Sequence, residues 1–321
     1  MKPGEDNEVD QRMNELEVVL TDLGLNFAND RSLRSRTTYK VGGSATCIVR
    51  IESDNDLVLL SQIVPDLDHG LLVIGNGSNL LVADGQLSIV AVVLGEKYKQ
   101  VEVNDTTIDA GALISLPILA RQVAARGVTG LEWAVGVPGT LGGAVKMNAG
   151  GHGSQTADSL IEARVFDLIS GEFTTRPTSQ FEFGYRRSNL ASSHVVVSAK
   201  LASSGQDDPE KIKARLSDIV TWRREHQPGG QNAGSVFVNP PGDSAGRLIE
   251  AAGAKSMRIG GAEVSPKHAN FIQADPDAKA SDVISLMASV RDLVLGKFGV
   301  RLFTEIKLVG FADTYGLPSG T

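Results

Sequence analysis

The sequence predicts an α+β protein, because its strand-like and helix-like runs do not alternate regularly enough for a doubly wound parallel sheet. A long capped helix stops at Pro228 and enters the polar linker GGQN, which divides a larger unit, residues 15–228, from a smaller one, 229–311. The 35 glycines cluster rather than scatter, as tight turns and close approach of backbone to a ligand require. A chain of 321 residues accommodates two such units.

The elements follow in order. Residues 1–14 are polar, mostly acidic and without the apolar segment of a signal peptide, so they read as a disordered tail, with 312–321 as a second tail. An amphipathic helix is expected over Glu15 to Leu23. SRTTYKVGGSATCIVRI is a turn on Gly42 and Gly43 feeding a strand, in which Cys47 is a small buried hydrophobe. DNDLVLLSQIV reads as a helix with Asp54 and Asn55 as cap candidates. LLVIGNGSNLLV is a strand, a glycine turn and a second apolar segment. SIVAVVLG, QVEV and TTIDAGA are short strands, and ISLPILARQVAARG is a helix closed by Gly127. From there to Gly153 glycine dominates, and loop and turn are expected. IEARVFDL, EFTTRP and HVVVSAKLA read as strands. The long helix has Asp208 as cap, Pro209 in its first turn, and Ile212, Leu216 and Ile219 on its apolar face. In the second unit, helices are expected near Ala245 to Ala252 and Ser281 to Phe298. The latter carries Val283, Leu286, Met287, Val290, Leu293 and Val294 as one face. The last strand is RLFTEIKLVG, with Phe303, Glu305 and Lys307 on one side and Leu302, Thr304, Ile306 and Leu308 on the other.

Composition narrows the function. A net charge of −7 argues against a general nucleic-acid surface, although a local basic pocket could still take an anion. The single Cys47 excludes an internal disulfide and a cysteine-only metal site. The histidines lack the HExxH spacing, so no metal is expected. No apolar run is long enough to cross a bilayer, which makes membrane insertion unexpected and a cytoplasmic monomer the expectation.

Two glycine-rich loops are the first candidate site. Gly75, Asn76, Gly77, Ser78 and Asn79 follow the apolar run LLVI, and converging amides there can nest phosphate oxygens. The loop is neither a Walker A loop nor a Rossmann fingerprint, since Leu80 stands where a third glycine belongs. Taken alone, this loop reads first as a strand-to-strand turn. The second stretch crowds Gly136, Gly139, Gly142, Gly143, Gly150, Gly151 and Gly153 around Pro138, Thr140 and Asn148, more glycines than a turn needs. Two such loops suit a dinucleotide with a pyrophosphate bridge; a tightly coiled structural loop is the alternative.

Distant polar residues form the second. Ser235 sits in NAGSVF, where a serine can simply bond local backbone. No Asp–His pair or GxSxG elbow makes it a nucleophile, so a proton donor is its better role. Tyr185, Arg186, Arg187 and Ser188 follow Phe181 and Phe183, and a partly buried guanidinium wants an anion; a solvated arginine pair is the plain alternative. Glu305 could be a surface carboxylate paired with Lys307. Lys267 and His268 precede an apolar run and could face an anion or solvent.

RTTYKVGG, VIGNGSNLLV, GVPGTLGGAVKMNAG, YRRS, NAGSVFVNP, AGRLIEAAGAK, GGAEVSPKHANF and EIKLVG occur in this order between Arg36 and Gly310. Together they resemble the UDP-N-acetylenolpyruvoylglucosamine reductase (UDP-N-acetylmuramate dehydrogenase) family, flavin reductases of peptidoglycan precursor synthesis. The resemblance implies a two-lobed FAD-binding domain of the vanillyl-alcohol oxidase (PCMH) type and a smaller α+β substrate-binding domain. It implies FAD held by Gly75 to Asn79 and Gly136 to Gly143, with Tyr39, Val41 and Gly42 upstream. NADPH would be the reductant and UDP-N-acetylglucosamine enolpyruvate the substrate. Arg186 would stabilise the substrate carboxylate, Ser235 would donate a proton, and Glu305 would assist Arg186. Tyr185, Asn239, Lys255 and His268 would contact the UDP-sugar.

Two departures accompany it. The insertion that carries a tyrosine over the substrate in one branch of the family has no counterpart before Tyr185. His226 stands where many relatives have lysine, which suggests tighter substrate binding at mildly acidic pH. Another flavin oxidoreductase of the same fold would explain the glycine loops but not Arg186, Ser235 and Glu305. A non-catalytic nucleotide-sugar sensor would have no need of a proton donor.

Overall fold

The computed structural model describes residues 15–311 and 315–317, so the tail expected over 1–14 lies outside the described residues. The first lobe is a four-stranded sheet in the order Asn26–Phe27, Ser44–Ile51, Gln86–Leu94, Gly70–Ile74. The last three strands are parallel. Cys47, Ile48, Val49, Val90, Ala91 and Val92 are all buried, which is why these strands read as continuous apolar runs.

The second lobe is a five-stranded antiparallel sheet in the order Glu172–Pro177, Leu160–Asp167, His194–Ala202, Thr107–Gly111, Val101–Val103. Phe166, Val195 and Val197 share a core with Cys47, Val49 and Val92 of the first sheet. Val165, Val196 and Ala199 share a second core with Leu119 and Val123 of the Leu116–Ala125 helix and Ile212 and Leu216 of the Pro209–His226 helix. The Asp54 carboxylate clips the lobes together, accepting from Arg164 at 2.7 Å and from the Tyr98 hydroxyl at 3.0 Å.

The C-terminal unit is a three-stranded sheet, Arg258–Ile259, Ala262–Val264, Ile272–Ala274, packed on the Ala245–Ala252 and Ala280–Phe298 helices. Its core also takes in Tyr39, Val41 and Leu81 from the first lobe. Lys307–Val309 pairs in parallel with Leu80–Val82. Asp84 accepts from the Ala280 and Ser281 amides at 3.0 and 2.9 Å, satisfying orphan donors at the start of the last helix. Residues 39–41 and 80–84 therefore belong physically to both units. Tyr315 and Leu317, in the segment expected as a tail, pack on this same core.

Several local expectations need correction. Ser53, not Asp54 or Asn55, caps the Asp54–Ser61 helix: its hydroxyl accepts from the Asp56 amide and Asp56 reciprocates, a capping box. The stretch before Gly153 is not mainly loop. It holds the 3-10 turn Glu132–Gly136 and the helix Leu141–Met147, whose N-cap Thr140 accepts from the Gly143 amide. Gly142 lies inside that helix because its backbone presses on Ala112, where a Cβ would come within 3.0 Å of the Ala112 Cβ. Leu293 is 42% exposed, and Ile284 takes a place in the buried face instead. The final ladder covers only Lys307–Val309, although the alternation holds upstream: Leu302, Thr304 and Ile306 are buried while Phe303 is exposed.

Candidate active site

A cavity of about 1190 Å³ lies between the two lobes and the C-terminal unit. Its wall includes Gly75, Asn76, Gly77, Ser78 and Asn79 from the first loop, and Gly136, Pro138, Gly139, Thr140, Gly142 and Gly143 from the second. The two loops touch. A Cβ on Gly75 would sit 2.3 Å from Thr140 Oγ1, and one on Gly139 would sit 2.9 Å from Ser78 Oγ. Ser78 donates to the Pro138 carbonyl at 3.2 Å. Side chains would close the seam, so glycine keeps a continuous strip of backbone facing the cavity. Thr38 Oγ1, buried and without a partner, lies on the same wall. Such a strip with an unsatisfied hydroxyl fits the phosphate bridge and flat ring of a flavin dinucleotide.

The charge of the wall opposes that of the chain. Arg186, Arg187, Arg223, Lys146 and Lys307 line it, and Glu305 is its carboxylate. Burial lowers Lys146 to about 8, with Lys307 adding to the effect. Lys146 remains anchored, donating to the Leu190 and Ala191 carbonyls. A cationic wall on an acidic protein suits anionic ligands.

Arg186, Ser235 and Glu305 meet on this cavity. Arg186 Nε donates to Glu305 Oε1 at 3.0 Å and its Nη2 to the Gly150 carbonyl at 2.8 Å. The Glu305 side chain is only 13% exposed. Burial pushes its carboxyl above the usual range, and Arg186 only partly offsets this. Tyr185 donates to Glu305 Oε2 at 3.5 Å, with its ring 5.1 Å from the Arg186 guanidinium. Glu305 pairs with Arg186 across 119 positions rather than with Lys307. Ser235 is placed by its neighbours. Val236 accepts from the Glu305 amide at 2.9 Å, and the buried Asn270 side chain bonds both the amide and the carbonyl of Phe237.

Other expected residues lie elsewhere. Tyr39 and Val41 are fully buried in the C-terminal core, and Gly42 packs on Val82, where a Cβ would meet the carbonyl at 2.6 Å; none lines the cavity. They support the wall from behind. Tyr185 touches Glu305 without lining the cavity. Asn239, Lys255 and His268 also lie off its wall, the first and last beside the start of the Ala245–Ala252 helix and Lys255 just past its end. Asn239 accepts from the Ala245 amide at 3.0 Å, Lys255 pairs with Glu250 at 2.9 Å, and His268 accepts from the Asn270 amide at 3.3 Å. Burial, then the Lys255 charge, lowers His268. His226 stacks on Trp222, with ring centroids 4.6 Å apart. The sequence reading missed Thr38, Lys146, Trp222, Arg223 and Lys307 as wall residues. Local pattern carried no signal for them, since even Thr38 stands in an irregular turn rather than a strand.

Fold and cavity define a cofactor-dependent oxidoreductase of the FAD-binding class: residues 45–175 match the family described as FAD binding domain. Residues 226–309 match the UDP-N-acetylenolpyruvoylglucosamine reductase C-terminal domain. A reductase of that name from Synechococcus sp. (strain RCC307) is 40% identical over 295 residues, covering 90% of this chain and 96% of the relative. One from Clostridioides difficile (strain 630) is 35% identical over 285 residues, covering 88% and 92%. The crystal structure of the Thermus caldophilus reductase superposes with a TM-score of 0.77 at 33% identity, covering 89% of this chain and 99% of that one. The chain belongs to the UDP-N-acetylenolpyruvoylglucosamine reductase family. Its architecture is the expected two-lobed FAD-binding domain with a smaller α+β unit. No helix among the described residues is long and apolar enough to cross a membrane.

Proposed function

We propose that this chain reduces UDP-N-acetylglucosamine enolpyruvate to UDP-N-acetylmuramate with NADPH. The observation that carries the reading is the Arg186–Glu305 pair, placed with Ser235 on the cavity that both glycine loops line. FAD held along those loops would supply the hydride chemistry between NADPH and the enolpyruvyl double bond. Conjugation with the carboxylate makes the terminal carbon of that bond electrophilic, so charge accumulates on the acid as hydrogen arrives.

Arg186 stabilises that charge. Its guanidinium is pre-oriented by Glu305 and by the Gly150 carbonyl, so little reorganisation is needed when the charge develops. Ser235 gives its hydroxyl proton to the carbon next to the carboxylate. A hydroxyl is a weak acid in water, and an enolate carbon is basic enough to accept from it. Glu305 holds Arg186 and assists the enolic intermediate. Asn239, Lys255, His268 and Tyr185 take the UDP-sugar, which would extend beyond the cavity wall. NADPH and the sugar would enter the same cavity in turn, giving ping-pong kinetics. The chain works without a tyrosine loop over the substrate.

The test is direct. Purified protein given the enolpyruvyl sugar and NADPH should yield a product heavier by two hydrogens, identified by mass spectrometry as the lactyl ether. A flavin-loaded protein that oxidises NADPH but leaves this sugar unchanged would favour another flavin oxidoreductase of the same fold.

A further inference from the structure

Arg186 stands on a turn that its own residues do not favour. Its φ is +54°, and that of Glu182 in the same segment is +47°. Neither is glycine, asparagine or aspartate, the residues that tolerate this left-handed region. Such a turn persists when its surroundings over-determine it.

The side chain of Asn148 supplies that constraint. It is 1% exposed, sits at φ +42° as the C-cap of the Leu141–Met147 helix, and makes three hydrogen bonds. Its Oδ1 accepts from the Ala157 amide at 3.0 Å. Its Nδ2 donates to Gln155 Oε1 at 3.1 Å and to the Gly184 carbonyl at 3.0 Å. The Ala157 donor fixes which end of the amide carries oxygen, so the NH2 group must face Gly184. Gly184 also pairs with Arg187 in both directions across the turn. Two residues after Asn148, the Gly150 carbonyl accepts from Arg186 Nη2. Lys146, in the same helix, ties down the far end of the segment at Leu190 and Ala191, and Ser188 Oγ donates back to the Lys146 carbonyl.

We infer that Asn148 is a positioning residue for the reaction: through Gly184 it holds the Arg186 turn in register with the helix whose first turn, Gly142 and Gly143, lines the cofactor cavity. The donor in this contact is specific. Aspartate would keep the bond from Ala157 and tolerate the backbone, but it would set a carboxylate oxygen against the Gly184 carbonyl. Glycine would keep the backbone and lose the grip altogether. The inference rests on Arg186 acting on the substrate.

The experiment compares Asn148→Asp, Asn148→Gly and Arg186→Lys in the full FAD-loaded chain. Stopped-flow absorbance follows cofactor reduction by NADPH and reoxidation by the enolpyruvyl sugar separately, and hydrogen–deuterium exchange follows the peptide spanning residues 181–189 in the apoprotein. Asn148→Asp should slow reoxidation about 10- to 100-fold, the scale of a catalytic group misplaced by about 1 Å, with reduction by NADPH unchanged. The Gly184 and Arg187 amides should exchange faster. If Asn148→Asp does not fold, Asn148→Gly must show the same split. Wild-type reoxidation and exchange in the folded Asn148 variants, beside a slow Arg186→Lys, would overturn the positioning role and leave Arg186 in place. Fast reoxidation in Arg186→Lys would instead remove the reading on which the inference rests.

Discussion

Gly77→Ala separates two reasons for glycine in the first loop. Gly77 has a φ of +58°, and a Cβ there would sit 2.3 Å from the Arg36 carbonyl oxygen and 2.8 Å from the Thr37 Cα. Both are backbone atoms, so no rotamer change relieves the overlap. The left-handed conformation and the forced shift together should cost about 2–5 kcal/mol. The shift falls on residues 36–37, next to Thr38, a wall residue of the cavity whose buried hydroxyl has no partner. Stability and FAD affinity should therefore fall together. Gly85→Ala is the control: its φ is +86°, but nothing lies within 4 Å of its Cβ. It should lose only the backbone share, about 1–2 kcal/mol, and bind FAD normally. Urea unfolding of the apoproteins and quenching of flavin fluorescence on titration measure the two quantities. Equal stability losses in the two variants, or unchanged FAD affinity in Gly77→Ala, would refute this account of the loop.

Ser235→Ala should nearly abolish product formation while NADPH still reduces the bound cofactor at the wild-type rate; normal turnover, measured by product mass, would remove Ser235 from the mechanism. Burial holds the Glu305 carboxyl above its usual value of 4.5, so the folded chain binds that proton more tightly than the unfolded chain. Its contribution to stability is whole below the unfolded value and is lost as pH rises through the raised folded value. Glu305→Gln should accordingly reduce the fall in urea midpoint from acidic to neutral pH, and an unchanged difference would contradict the burial argument. His226 stacks on Trp222 off the cavity wall. The expectation of tighter substrate binding at mildly acidic pH is checked by comparing the substrate KM of the wild type and His226→Lys across that range, where equal values would contradict it.

The strands, the long helix and the glycine loops were legible because they rest on local pattern. Asp208, Pro209 and the Ile212–Leu216 spacing defined a helix before any tertiary contact was known. The Leu141–Met147 helix was hidden, because two adjacent glycines argue against helix by propensity. The Thr140 cap and the close approach to Ala112 override that preference. The link between Glu305 and Arg186 was implied by the resemblance but not by local pattern: charge patterning sees neighbours and offered Lys307, whereas the turn at residues 184–187 brings Arg186 in from 119 positions away. Tyr39 and Val41 were assigned to the cofactor by resemblance alone. In the structure both are fully buried in the C-terminal core, while Thr38 is on the cavity wall; the segment is an irregular turn with Lys40 at φ +54°, so no strand pattern announced this.

The central claim is that one cavity serves cofactor, reductant and sugar. It is tested most directly by the visible spectrum of the purified protein under anaerobic conditions, recorded before and after NADPH and again after UDP-N-acetylglucosamine enolpyruvate. An oxidised flavin band that bleaches with NADPH and returns with the sugar is the predicted result. A band that bleaches and stays bleached would contradict the assigned substrate, and no band even after added FAD would contradict the reading of both glycine loops.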